Sequence, residues 1–421
     1  MALSSTQSTP AAVEPPCRFC RAPLRHTFVD LGMSPLCQRH VRPAELNQME
    51  PFYPLHVRVC EQCFLVQLEE YVSPREIFND YAYFSSFSGT MLAHAEAYCQ
   101  SMRDRLSLGE DSLVVELASN DGYLLQYFRQ LGVGVLGIEP AANVAEAAIA
   151  KGIPTVTEFF GVELAQRLAP KGRADLIVGN NVLAHVPDIN DFVGGMRVLL
   201  KPTGVVTMEF PHLIRLIDDN LFDTIYHEHF SYLSFLTVQK VFAARGLTLF
   251  DVEEVDTHGG SLRIYARQQE NESLPVTEQV GAWAAYERER GLDSLAAYQS
   301  FGPKVTATKR KLLSFLIDAR SRGRSVAGYG APGKGNTLLN YCGIRTDFLD
   351  YTVDRNPVKQ GNYLPGTRIP ICAPERIRET RPDYLLILPW NLKDEIMAQN
   401  AFIREWGGQF VVPLPETKVY P

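Results

Sequence analysis

Short apolar runs bounded by turn residues recur from about residue 112 onward, separated by longer stretches of helical period. Ser-Leu-Val-Val-Glu at 112–116 reads as a buried strand, and 135–138, 175–178 and 204–208 repeat the pattern. A helical stretch at 91–106 precedes the first of them. Strand alternating with helix predicts a doubly wound α/β domain. Two closely spaced runs, beginning at Gly246 and at Gly259, break the alternation and predict an antiparallel pair closing the sheet. Residues 268–310 are charged and helical and read as a connector. Beyond them, strands near 325–329, 350–355 and 382–388 predict a second, smaller α/β unit.

Length adds a domain count. At roughly 150 residues per domain, 421 residues hold about three. The division is a tail at 1–16, expected to be disordered, a cysteine-bearing module at 17–75, a central domain at 76–267, the connector at 268–310 and a Rossmann-like domain at 311–421. The 46% hydrophobic and 21% charged composition is that of a globular chain. A net charge of -7 argues against nucleic acid, since phosphate-backbone binders concentrate Lys and Arg. No run approaches the roughly 20 apolar residues of a membrane span. The first residues lack a basic and an apolar region, so a cytoplasmic protein is expected.

Four of the eight cysteines form two pairs with two residues between thiols, Cys17 with Cys20 and Cys60 with Cys63. Such spacing lets both sulfurs reach one ion, and two pairs complete a tetrahedron. Structural zinc is the prediction. A redox motif needs only one pair. His26, His40 and His56 lie in the intervening segment and are alternatives for one ligand.

The first central strand runs into Leu117-Ala118-Ser119-Asn120-Asp121-Gly122, and the second ends at Glu139, where a carboxylate can accept from a ribose diol. A dinucleotide pyrophosphate wants bare glycines in that loop. Asp121 there would repel phosphate, whereas S-adenosylmethionine carries none and is cationic at sulfur. With the antiparallel pair, this reads as a class I methyltransferase domain. The C-terminal unit carries a formal G-x-G-x-x-G at Gly328, Gly330 and Gly333, with Asp354 near the ribose-binding distance. Taken alone it predicts an NAD-dependent oxidoreductase; its other readings are a structural turn or, with Lys334, a cradle for the diphosphate of a substrate.

Tyr226-His227-Glu228-His229 packs phenol, imidazole and carboxylate into one tetrapeptide, close after Glu209-Phe-Pro-His212. That density of proton-handling groups points to general acid–base chemistry. The chain resembles the S-adenosylmethionine-dependent C-methyltransferases of nucleotide-linked deoxysugars, including the TDP-sugar C-3' methyltransferases. The resemblance is carried by the two knuckles, Asp80-Tyr81-Ala-Tyr83-Phe84-Ser85-Ser86, Ser119-Asn120-Asp121-Gly122-Tyr123, Asn180-Asn181-Val-Leu-Ala-His185-Val-Pro187, Phe222-Asp-Thr-Ile-Tyr226-His227-Glu228-His229, His258-Gly-Gly-Ser261-Leu-Arg263 and Gly330-Ala-Pro-Gly-Lys334-Gly-Asn336-Thr337.

The resemblance implies a zinc module, a cofactor domain and a C-terminal Rossmann-like domain, with the sugar nucleotide between them, in a monomer or homodimer. It implies cofactor contacts at Glu116, Ala118, Asn120, Gly122, Glu139, Asn180, Asn181 and His185, and substrate contacts at His258, Ser261, Arg263, Lys334 and Asn336. His229 is the implied base, oriented by Glu228, with His227 as its rival. Tyr226 and one of Tyr81 or Tyr83 would stabilise an enolate. The implied reaction is methylation beside the ketone of a TDP-linked 4-keto deoxysugar at C-3', with C-5' or another nucleotide as alternatives.

Overall fold

The strand Leu113–Leu117 is buried along nearly its whole length, as a central parallel strand covered on both faces must be. The structure, a computed structural model, describes residues 14–78 and 85–421, without the side chains of Phe78, Phe87 and His258. Leu113–Leu117 sits inside a seven-stranded sheet ordered Leu247–Val255, Ser261–Gln268, Leu200–Pro211, Ala174–Asn180, Leu113–Leu117, Gly134–Ile138, Thr155–Val156. Ser261–Gln268 runs antiparallel to both neighbours, and the pairings from Leu200–Pro211 to Thr155–Val156 are parallel. The antiparallel pair expected near 246 and 259 is therefore present at one edge.

The cysteine-bearing module is a sheet of His26–Ser34, Tyr53–Val59 and Val66–Leu68, all antiparallel. Its fourth strand comes from elsewhere: Ser231–Tyr232, just after the proton-handling tetrapeptide, pairs with Val66 and Gln67. The C-terminal sheet is ordered Ile371–Cys372, Thr352–Val353, Val326–Tyr329, Tyr384–Ile387, Gln409–Val412, Lys418–Tyr420, parallel except for the last strand.

The connector segment is helical at Glu278–Glu289 and Leu295–Gln299, and the helix Phe301–Ser321 continues unbroken through residue 310 into the C-terminal unit. One apolar cluster joins the first and last modules to the segment leading into the tetrapeptide at 226–229, through Phe28, Leu213, Phe222, Phe301 and Leu338. Phe28 stacks on Phe301 with ring centroids 4.6 Å apart. The modules share a core and do not merely touch. Among the described residues, no helix is long and apolar enough to cross a membrane.

Candidate active site and metal centre

Both cysteine knuckles make the same turn. Cys17 N–H donates to Ala22 O at 2.7 Å and Arg21 N–H to Cys17 O at 3.0 Å; Cys60 and Phe64 repeat this with Leu65 O and Cys60 O at 3.1 and 3.0 Å. Arg21 and Phe64 both take left-handed φ, 66° and 64°. The ligand atoms of Cys17, Cys20, Cys60 and Cys63 all lie within 4.8 Å of one another, with Cys17–Cys63 at 3.6 Å and Cys20–Cys60 at 3.5 Å. Zinc–sulfur bonds of 2.3 Å separate tetrahedral sulfurs by about 3.8 Å, so the four thiolates fit the ion, and four protein ligands make it structural. Gln67 Nε2 supports Cys17 Sγ at 3.1 Å and Gln62 N–H supports Cys60 Sγ at 3.4 Å. His26 instead bonds Glu61, and His56 bonds Thr27. The first knuckle is fastened to the central domain: Arg18 donates to Pro187 O at 2.6 Å, and Asn190 Nδ2 to the carbonyls of Arg18 and Phe19 at 3.0 Å each.

A cavity of 1440 Å³ opens at the carboxyl ends of the parallel strands, the place where such sheets bind ligands. Ala118, Asn120 and Gly122 take φ of 56°, 49° and 75°, which folds the loop back over the strand end. Glu139 holds it there, its oxygens accepting from Asn120 N–H and Ala141 N–H at 2.9 Å each. Burial raises the Glu139 carboxyl despite those two donors. Each of its oxygens keeps a further lone pair for a hydroxyl. Both amide atoms of Asn180 are buried, with no hydrogen-bond partner among the described residues, and Asn180 lines the cavity. Buried polar atoms are rarely left open, so this wall suits a polar ligand.

Asp121 departs from expectation. It accepts from Lys151 Nζ at 2.9 Å and from Ser86, so its charge is offset, and of Asp121 and Glu139 it is Glu139 that lines the cavity. Glu116 lies buried; burial, with Glu139 and Asp121 nearby, holds its carboxyl well above the usual range.

The tetrapeptide follows the 3-10 turn Phe222–Thr224. His229 Nδ1 lies 2.8 Å from Thr224 O; a carbonyl only accepts, so Nδ1 carries the proton and Nε2 of the neutral ring holds the lone pair. The Tyr226 ring lies 4.0 Å from that of His229, and His185 meets it edge-on at 4.6 Å. Glu228 was expected to orient His229, but that role falls to the Thr224 carbonyl. Adjacent side chains in a tight turn diverge, and Glu228 lines the cavity with Oε1 3.8 Å from the Cys37 thiol. Burial pushes its carboxyl up to about 7. His227 faces the zinc module, donating to Pro54 O at 3.2 Å and packing against Tyr53.

The C-terminal glycine fingerprint is spent on packing. A Cβ at Gly333 would lie 3.0 Å from Cys37 Sγ and 3.2 Å from Gln38 Nε2; one at Gly335 would lie 3.0 Å from Leu388 Cβ. Protein fills the space over the helix start that a pyrophosphate would need. Asp354 accepts from Ala331 N–H and Asn356 N–H at 2.8 Å each, so the carboxylate at the ribose position holds its own loop.

Of the expected site residues, Ala118, Asn120, Glu139, Asn180, Asn181, His185, Tyr226, Glu228 and Arg263 line the one cavity. Gly122 shapes the loop beneath it, and His229 stands behind Tyr226 and His185. Ser261 Oγ is turned to Thr257 O at 2.9 Å, and Asn336 Nδ2 to Cys37 O at 2.7 Å. Lys334 Nζ donates to Asn391 Oδ1 at 2.8 Å and sits over the Trp390 ring; Asn391 is the residue that lines the cavity. Tyr81 and Tyr83 lie outside the described residues, as does the His258 side chain.

Residue-by-residue reading missed a charged network on the cavity wall. Glu209 accepts from His94 Nε2 at 3.0 Å and from Arg263 Nε at 2.8 Å, and Arg263 Nη1 also donates to Glu253 at 2.6 Å. Against burial, His94 and Arg263 hold the Glu209 carboxyl below its usual range. The partners are 115 and 54 positions apart; no local spacing could have paired them.

A seven-stranded sheet with one reversed strand, a ligand cavity at its carboxyl edge and a thiolate zinc site define an S-adenosylmethionine-dependent methyltransferase with a structural metal. Residues 17–78 match a zinc binding domain, 91–252 a methyltransferase domain and 256–415 a C-methyltransferase C-terminal domain. The C-methyltransferase NovU of Streptomyces niveus is 36% identical over 406 residues, 96% of each chain. The chain belongs to this family of C-methyltransferases. A ubiquinone biosynthesis O-methyltransferase of Rhodopseudomonas palustris is 28% identical over 96 residues, 23% of this chain and 38% of its own. Magnesium protoporphyrin IX methyltransferase of Synechocystis, solved with bound S-adenosylmethionine, aligns at a TM-score of 0.32 and 17% identity, over 46% of this chain and 88% of that one. The oxidoreductase reading of the fingerprint is overturned by the family and by the filled loop.

Proposed function

We propose that the enzyme methylates the carbon next to the ketone of a TDP-linked 4-keto deoxysugar, at C-3'. The observation that carries this reading is one cavity that joins the loop at Asn120 and Glu139 to the turn at Tyr226 and Glu228. Its volume exceeds the roughly 300–1,000 Å³ of a single-ligand pocket, leaving room for cofactor and substrate together.

Glu139 is assigned the ribose hydroxyls of the cofactor, and Asn180 and Asn181 its polar groups. When bound, the cofactor supplies an electrophilic methyl group on a cationic sulfur. His229 is assigned the base; because it stands behind Tyr226 and His185, the proton of the sugar carbon beside the ketone reaches its Nε2 through one of those two cavity-lining side chains, which takes the sugar proton as it gives up its own, and the C–H electron pair becomes the enolate double bond. Tyr226, with Tyr81 or Tyr83, donates to the oxygen on which negative charge then grows, where a positioned donor is worth most. The diphosphate is assigned to the end of the cavity at Asn391, which holds Lys334.

A mass-spectrometric screen of TDP-linked and other nucleotide-linked keto sugars with S-adenosylmethionine tests the reading. The TDP 4-keto sugar should gain one methylene mass, placed at C-3' by NMR. A methyl at C-5' would move the reaction to the other carbon, and no product from any sugar would overturn the substrate class.

A further inference from the structure

The glycine fingerprint of the C-terminal domain has no dinucleotide to hold, yet two adjacent residues of its helix grip the zinc module and the catalytic segment, one each. Asn336 Nδ2 donates to Cys37 O at 2.7 Å, and Thr337 Oγ1 donates to Ile225 O at 2.9 Å, three residues before Glu228. Gly333, at the start of the same helix Gly333–Cys342, leaves the gap into which Cys37 Sγ and Gln38 fit. One helix turn thus holds both sides of the contact between Cys37 Sγ and Glu228 Oε1 at 3.8 Å.

We propose that Cys37 is a positioning residue, its thiol holding the Glu228 carboxyl at the cavity wall, and that the glycine-bare start of Gly333–Cys342 is the socket that seats it. Cys37 is 4% exposed, and burial, with the Glu228 carboxyl beside it, keeps it a neutral thiol, hence a donor. Gln38, next in sequence, lines the cavity, so the segment is part of the site wall. Cys37 comes from the zinc module, Glu228 from the central domain and the socket from the C-terminal domain. The role rests on the reading of Glu228 as a proton-handling group.

The first arm of the test needs no sugar. The infrared carbonyl stretch of protonated Glu228, assigned by its loss in Glu228→Gln, should shift in Cys37→Ala and return toward wild type in Cys37→Ser, which keeps a donor. Gly333→Ala, which removes no polar group and crowds Cys37 Sγ, should shift it too. An unmoved band in Cys37→Ala overturns the proposal. The second arm is turnover of the TDP-linked 4-keto deoxysugar. Cys37→Ala should lower kcat about tenfold with KM for both substrates within twofold, Cys37→Ser should recover most of it, and the loss should vanish in a Glu228→Gln background. Independent, multiplying losses would overturn the role. If wild type turns over no nucleotide sugar, the substrate reading fails while the infrared arm still decides the place of Cys37.

Discussion

The proposed base, His229, owes the position of its lone pair to a backbone atom. Because Thr224 O fixes the Nδ1 proton, Nε2 is the basic nitrogen, and His229→Asn should cost on the order of 10²–10⁴ in turnover. Calorimetry should find S-adenosylmethionine affinity within a few-fold of wild type, since the cofactor loop is untouched; near-normal turnover would remove the assignment. Glu228 makes a second prediction, about stability. Its carboxyl titrates near 7 in the fold against roughly 4.3 in an unfolded chain. Between those values the folded state binds more protons, so this group's contribution falls as pH rises through the window. Glu228→Gln should flatten the decline between pH 5 and pH 8 by up to about 3 kcal/mol, measured by urea unfolding at both pH values. A decline as steep as wild type would show that Glu228 does not titrate there. The tetrapeptide was legible because its groups are adjacent in the chain. His94 was not, because its meaning lies in Glu209 and Arg263.

Loops and helix starts show how far local spacing carries. The segment at 118–122 was readable as a cofactor loop, and its backbone explains why Gly122 belongs there: φ is 75°, and a Cβ would lie 3.0 Å from Ile153 Cγ1. Gly122→Ala should cost about 1–2 kcal/mol from the left-handed backbone alone. It should weaken S-adenosylmethionine binding by calorimetry, and unchanged affinity would show that the loop conformation is not part of the site. The same logic misled at Asp121, since residue type says nothing about which way a side chain leaves a turn; Lys151 decided that. The fingerprint at Gly328, Gly330 and Gly333 states only that something approaches bare backbone. At Gly333 that something is Cys37.

Across the whole molecule, the zinc site and the proposed catalytic turn are mechanically joined. Cys60 and Cys63 close the turn leading into Val66–Leu68, which pairs with Ser231–Tyr232, two residues beyond His229. Cys63→Ser should therefore lower kcat at least about tenfold while S-adenosylmethionine affinity changes only a few-fold, because the proposed cofactor contacts lie at the ends of the strands Leu113–Leu117, Gly134–Ile138 and Ala174–Asn180. Assayed by turnover and calorimetry, parallel losses in both would show that zinc supports the whole fold and not this turn. The sequence by itself determined what depends on residues close in the chain: two knuckles, strands and helices in alternation, a tight loop after the first central strand and a cluster of proton-handling groups. Only the tertiary structure decided which partner each polar group meets. Cys37 and Glu228 are 191 positions apart, and a contact of a few ångströms between them exists only once three modules share a core.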